Sequence, residues 1–290
     1  MNCFQAVILL IVLTFTRFAM AEGTLNVWPN LAPGETTSSM GSAQPAPANE
    51  QPPVTRIEGI TKPTLTIHLA NKPNGSGIVI LPGGGFGKVV PDKEGTEAAA
   101  WLNDLGFAAF VLSYRTKQGS VEAGWERPLQ DAQRAMALIR HRAGQWGLDQ
   151  NRIGLLGFSA GGQVATRLLS AGEKLTYPAI DAVDHVSHWP NFVLLVYPWN
   201  IYDPGRRDLI EGISVPRNCP PTFLVHTDDD RSSSLGAILF YRGLKELGIP
   251  SELHVYGNGG HGYGLRAVQG SQISSWPNHA AHWLLRLQQN

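Results

Sequence analysis

The chain has 290 residues, 43% of them hydrophobic and 16% charged, a composition that suits an ordinary globular protein with one large domain. Its 23 basic and 23 acidic side chains cancel to a formal charge of zero, which argues against electrostatic capture of nucleic acid or of an anionic membrane. A neutral or mildly polar small substrate is the partner expected from that balance.

Residues 1–21, MNCFQAVILLIVLTFTRFAMA, carry an apolar run from Ala6 to Phe15 and end in Ala19-Met20-Ala21, the small-x-small pattern of a signal-peptidase site. This segment reads as an export signal, so the mature protein is expected to be secreted or periplasmic. A basic n-region is missing and Arg17 follows the run, which leaves an uncleaved anchor or a misread start as alternatives. The run is short for a stable membrane span. Cleavage after Ala21 removes Cys3 and leaves Cys219 as the remaining cysteine, so no internal disulfide is expected. Residues 22–63 read as an N-terminal arm and linker, because Thr36 to Pro53, TTSSMGSAQPAPANEQPP, is rich in Ser, Ala and Pro and offers little to bury.

Residues 64–290 read as one catalytic domain. Apolar, β-branched runs at 65–70, 77–82, 107–112, 152–158, 192–198, 222–226 and 252–256 predict short buried strands. Between them, Leu129, Ala132, Met136, Ile139 and Ala143 recur at steps of three and four and share a helical face; 97–105, 161–170, 235–247 and 276–287 read as helices too. Such alternation predicts an α/β architecture, a mainly parallel central sheet of about eight strands with helices on both faces.

The chemistry concentrates at strand ends. Gly157 to Gly161, GFSAG, matches G-x-S-x-G at a strand-to-helix junction, the context in which a serine becomes an exposed nucleophile on a sharp turn. The flanking glycines let strand and helix approach closely, and the helix that follows favours a developing anion near Ala160. A serine hydroxyl needs a base, and the base needs an orienting acid. His261, in the glycine-rich loop GNGGHGYGL after the last strand, is the candidate base. Asp228, Asp229 and Asp230 follow the strand TFLVH directly and supply the candidate acid; Asp228 lies too close to the strand. LPGGGFG, Leu81 to Gly87, is similar to an HGGG-type loop whose backbone N–H groups point at a substrate oxygen, so Gly84 and Gly85 join Ala160 as candidate oxyanion donors. It lacks the spacing of a P-loop or of a dinucleotide fingerprint. No H-E-x-x-H and no cysteine cluster is present, so neither metal nor cofactor is expected. His185 and His188 read as part of a surface loop. Residues 199–221 read as a cap or rim over the site.

The order Ser, Asp, His and these motifs resemble the α/β-hydrolase superfamily, and within it the bacterial acetyl esterases akin to acetylxylan and feruloyl esterases. The resemblance rests on LNVWPNLAPGE, LPGGGFGKVVPDKEG, FAAFVLSYR, PLQDAQRAMALIRHRA, GFSAGG, FVLLVYPW and GGHGYGL, and covers most of the chain after Gly23. Two places depart from the relatives' pattern: Lys93 stands where they carry His, and the acid is followed by RSSS instead of Pro and apolar residues. The relatives' spacing of strand, three residues and acid selects Asp230, with Asp229 second. The resemblance implies hydrolysis of short acyl esters, acetyl groups on hemicellulose among them, by Ser159, His261 and Asp230 without a metal; bulky Phe86 and Tyr263 near the site favour a short acyl chain. The substrate expected is a small-molecule or oligosaccharide ester, with no nucleic acid partner. A prolyl-oligopeptidase-type peptidase and an inactive, carbohydrate-binding hydrolase fold are the competing readings.

Overall fold

Every strand run named above forms a strand, and the period of two sends its side chains to opposite faces. The structure, a computed structural model, describes residues 23–117 and 123–288; the expected export signal lies outside the described residues. In chain order the strands are β1 (Thr24–Asn26), β2 (Met40–Gln44), β3 (Arg56–Ile60), β4 (Thr64–His68), β5 (Gly77–Leu81), β6 (Lys88–Val89), β7 (Ala108–Ser113), β8 (Ile153–Phe158), β9 (Val193–Val196), β10 (Tyr202–Asp203), β11 (Asp208–Leu209), β12 (Thr222–Thr227) and β13 (Ser251–Tyr256). The helices are α1 (Glu97–Asp104), α2 (Glu126–His141), α3 (Ala160–Ala171), α4 (Leu235–Glu246) and α5 (Trp276–Leu287).

The main sheet has eight strands in the order β1-β4-β7-β5-β8-β9-β12-β13. Pairing is parallel from β7 to β13 and antiparallel where β4 meets β7 and β1. Along β5, Val79 and Leu81 join a core with Leu129 and Met136 of α2, Val164 of α3 and Phe240 of α4. Ile78 and Ile80 face the other way, into a core with Leu102 of α1 and Trp276 and Trp283 of α5. A sheet covered on both faces explains why its strands read as continuous apolar runs. Among the described residues no helix is long and apolar enough to cross a membrane.

Residues 22–63 differ from the expected arm and linker. β1 pairs with β4 as an edge of the main sheet, and β2 and β3 form a small antiparallel sheet with β6. β1 is three residues long and β2, Met-Gly-Ser-Ala-Gln, has no buried residue, so neither carries a periodic apolar signal. Gly41, at φ +83°, is required in β2: a Cβ there would lie 2.7 Å from the Ile57 side chain. The small sheet holds the far end of the glycine-rich loop, since Ile57 pairs with Val89 and Glu58 with Lys88.

The segment 27–35 is tied to the core through a buried charge node. Arg115, wholly buried, binds the wholly buried Asp131 through Nε (2.9 Å), and its two terminal nitrogens donate to Pro33 O (2.6 Å) and Gln130 Oε1 (2.8 Å). Trp28 Nε1 donates to the same aspartate at 2.8 Å. This is the structural content of the LSYR segment.

Candidate active site

The carboxyl ends of β5, β8, β9 and β12 open onto one cleft of about 410 Å³, lined by Gly84, Gly85, Lys93, Glu94, Ser159, Trp199, Arg231, His261 and Gly262, with Arg56 and Lys88 from the small sheet and Val54 just before it. Ser159 sits between β8 and α3 at φ +50°, ψ −117°, a strained conformation for a residue with a Cβ. The turn is pinned by Ser159 N–H donating to Val196 O (3.0 Å) and by Ser159 O accepting from Trp199 N–H (2.9 Å). Its glycines are obligatory for steric reasons: a Cβ on Gly157 would lie 2.6 Å from Gly161 O, and one on Gly161 would run into Leu81 O.

Ser159 Oγ lies 2.7 Å from His261 Nε2, and His261 Nδ1 lies 2.6 Å from Asp230 Oδ2. The structure therefore brings together the serine, the histidine and the first-choice aspartate. Asp230 is buried, and its other oxygen accepts from Ser232 N–H at 2.8 Å. Asp229, the second choice, faces away from the imidazole: Oδ1 accepts from Gly260 N–H (2.8 Å) and Oδ2 from Gly259 N–H (3.1 Å). Those bonds, the Gly260 one foremost, hold its carboxyl below the usual carboxylate range. Asp229 thus tethers the loop that carries His261. The RSSS departure acquires a purpose: besides the Ser232 N–H on Asp230, Ser232 Oγ accepts from Asn200 N–H at 2.7 Å and ties the acid loop to the end of β9.

Gly84 (φ +134°) and Gly85 (φ +65°) shape the loop opposite Ser159, and neither backbone N–H donates to another described residue. Ala160 is the first residue of α3, where backbone N–H groups have no helical partner. All three candidate donors stand around Ser159. Phe86 and Tyr263, expected beside the site, are buried and do not line the cleft; Tyr263 packs on Tyr197 at 4.3 Å between ring centroids.

Sequence reasoning missed Glu94. It is buried beneath the cleft, accepting from Gly83 N–H (2.7 Å) through Oε2 and from Tyr197 O–H (2.9 Å) through Oε1. Tyr197 Oη in turn accepts from Gly264 N–H at 2.9 Å. One carboxyl therefore links the glycine-rich loop, the end of β9 and the histidine loop. Burial pushes its carboxyl above the usual range, and the Tyr197 and Gly83 bonds oppose that shift. The signal lay in KEG, whose glutamate sits just before an apolar helix, but a single glutamate in a sequence does not announce burial.

The rim differs from expectation. Of residues 199–221 only Trp199 lines the cleft, its ring edge-on to His261 at 4.9 Å. The rest folds back onto α4 and α3: Ile201 and Ile213 are buried with Ala237 and Phe240, and Ser214 N–H donates to Ser170 Oγ at 2.9 Å. His188, expected in a surface loop, is 3% exposed, with Nε2 3.0 Å from Gly172 O. Burial lowers its pKa, so it is a neutral packing residue; the flanking Trp189 and Pro190 resembled a loop because loops and buried corners share those residue types.

The BD-FAE family model matches residues 65–177. An acetylxylan esterase of Xylanibacter ruminicola is 28% identical over 216 residues, 70% of this chain and 44% of that protein. Endo-1,4-beta-xylanase B of Butyrivibrio fibrisolvens is 28% identical over 220 residues, 69% of this chain and 34% of that protein. The chain thus spans less than half the length of these curated relatives. The crystal structure of an acetyl ester-xyloside bifunctional hydrolase from Caldicellulosiruptor lactoaceticus superposes with a TM-score of 0.70 at 28% identity, covering 92% of this chain and 96% of that one. The chain has the α/β-hydrolase fold, and in sequence and structure it is similar to bacterial acetylxylan esterases.

Proposed function

We propose that the protein is an exported serine carboxylesterase that removes short acyl groups, acetyl above all, from hydroxyls of hemicellulose or a related carbohydrate. The observation that carries the chemistry is the unbroken chain from Ser159 Oγ to His261 (2.7 Å) to Asp230 (2.6 Å) at the floor of a cleft. In this reading Ser159 attacks the ester carbonyl while His261 Nε2 takes its proton, and Asp230 holds the imidazole in the tautomer with hydrogen on Nδ1. The N–H groups of Gly84, Gly85 and Ala160 bind the oxyanion. His261 then protonates the departing sugar hydroxyl, and activates the water that releases the acid from the acyl-enzyme.

The carbohydrate and the acetyl group rest on the relatives' names, and export rests on the apolar run and Ala19-Met20-Ala21 of the N-terminal segment. The test is hydrolysis of nitrophenyl acetate, nitrophenyl octanoate, an acetylated xylooligosaccharide and a proline amide by wild type and by Ser159→Ala. We expect the acetyl esters to be hydrolysed and the alanine variant, still folded, to lose at least about four powers of ten in turnover. Retention of more than about a hundredth of the activity removes Ser159 from the mechanism. Preference for the amide would make the protein a peptidase, and preference for the octanoate would place it among lipases. Failure of a fluorophosphonate probe to label Ser159, with no turnover, would mean an inactive fold.

A further inference from the structure

Zero net charge over the whole chain conceals a one-sided charge at the cleft. Four cationic side chains line it, those of Arg56, Lys88, Lys93 and Arg231. Among the described residues the one carboxyl lining it is Glu94, both of whose oxygens are taken by Tyr197 and Gly83. Arg56 is neutralised by Glu50 in a two-pronged pair, both distances 2.7 Å. Lys88, Lys93 and Arg231 form no ion pair with any described residue.

Two of these cations stand on the His261 side. The Lys93 ammonium lies 4.0 Å from where a Cβ on Gly262 would be, next in the chain to His261. The Arg231 guanidinium lies over the Trp199 ring, 5.0 Å from its centroid, and that ring abuts the His261 imidazole. The histidine is the group that hands its proton to the leaving alcohol, so the space beside it belongs to the alcohol half of the ester. A half-exposed lysine and an exposed arginine stand there beside an aromatic ring; Lys93 feels the Glu50 and Glu94 carboxylates at longer range, but neither cation is closed off in an ion pair with a described residue.

From this juxtaposition we infer that the preferred substrate carries a carboxylate on its alcohol half: an acylated sugar that is, or is joined to, a uronic acid. The inference rests on the esterase reading above and names its substrate class. The carboxylate pairs with Lys93 and Arg231 while the sugar ring lies against Trp199, and the clustered positive potential raises the encounter rate as well as holding the ligand.

The test pairs two substrates that differ in one group, an O-acetyl methyl glucopyranosiduronate and the matching O-acetyl methyl glucopyranoside. For wild type at low salt we expect kcat/KM for the uronoside to exceed that for the glucoside by about tenfold, most of it in KM, and the ratio to shrink as salt is added. In the Lys93→Gln/Arg231→Gln double variant the ratio should fall to about one, and Lys93→Arg should retain it. Equal or better hydrolysis of the glucoside by wild type overturns the inference and leaves the esterase standing. A uronoside preference that survives the double variant overturns the assignment to these two side chains. Hydrolysis of neither ester overturns this inference, and the esterase reading falls with it only if nitrophenyl acetate is not hydrolysed either.

Discussion

Asp131 and Asp230 are both buried aspartates bonded to a nitrogen-bearing side chain, yet they end in different places. Every donor around Asp131 is fixed and internal: the Arg115 guanidinium and backbone N–H, and the Trp28 indole at 2.8 Å. Neither Asp131 nor its donors Arg115 and Trp28 line the cleft that holds Ser159. Asp230 spends one oxygen on Ser232 N–H and aims the other through an imidazole at a hydroxyl on the cleft floor. A buried carboxylate with all its donors supplied by the fold holds the fold together. One that reaches solvent through a proton-carrying ring is placed to do chemistry.

The contrast can be broken by treating the two alike. Asp230→Asn presents an amide to His261 Nδ1, favouring the tautomer that cannot take the Ser159 proton, so turnover of an acetyl ester should fall by about ten-thousand-fold at neutral pH. Its unfolding free energy should move little by comparison. Asp131→Ala should do the reverse. It takes the closer of two carboxylates from the wholly buried Arg115, leaving Glu35 at 3.7 Å, and should cost about 3 kcal/mol in a urea titration, with the folded fraction as active per molecule as wild type. If that variant does not fold, Trp28→Phe removes a single donor and should cost about 1–3 kcal/mol. A catalytic loss in Trp28→Phe that outruns its loss of stability would show that the two nodes communicate.

How much of this was legible beforehand follows from the physics of each signal. β5, β7, β8, β9 and β12 are buried on both faces and announce themselves as apolar runs, and the elbow glycines are dictated by clashes that any sequence with this turn must avoid. Ser159 and Asp230 were readable because each follows such a strand, and His261 because its loop follows the last strand run, β13, in a cluster of glycines. β1, β2 and β3 were not readable, since their pairing is set by partners distant in the chain and not by a local period. Glu94 and the tethering by Asp229 were not readable either: a carboxylate in a sequence carries no mark of which backbone N–H groups it will meet.

Glu94 sharpens the comparison, because it resembles Asp131 in having every oxygen occupied and Asp230 in lying at the cleft. Glu94→Gln keeps the shape and an acceptor for Gly83 N–H, but its NH2 group turns the Tyr197 hydroxyl from donor to acceptor and replaces two charge-assisted bonds by weaker neutral ones, so the link between the glycine-rich loop and the β9 end loosens. We expect kcat to fall by about tenfold with KM little changed, the signature of displaced oxyanion donors. A rise in KM at unaltered kcat would assign Glu94 to substrate binding instead.

The smallest effect belongs to Asp229, and it also tests the choice between adjacent aspartates. Asp229→Asn retains one acceptor for Gly260 N–H and loses the one facing Gly259 N–H, so the histidine loop loosens without losing its register; turnover should fall only a few-fold. The pH dependence has a definite sign. The folded-state pKa is below the ordinary value of 3.8, so the tether's contribution is full above that value and fades as pH falls through the depressed one. Wild type should therefore unfold at a slightly higher temperature than Asp229→Asn at neutral pH, and the gap should close on the acid side of 3.8. The gap should be small, because the side chain is exposed to solvent. Collapse of activity in Asp229→Asn, together with near-normal turnover in Asp230→Asn, would move the orienting acid one residue upstream and make Asp230 the tether.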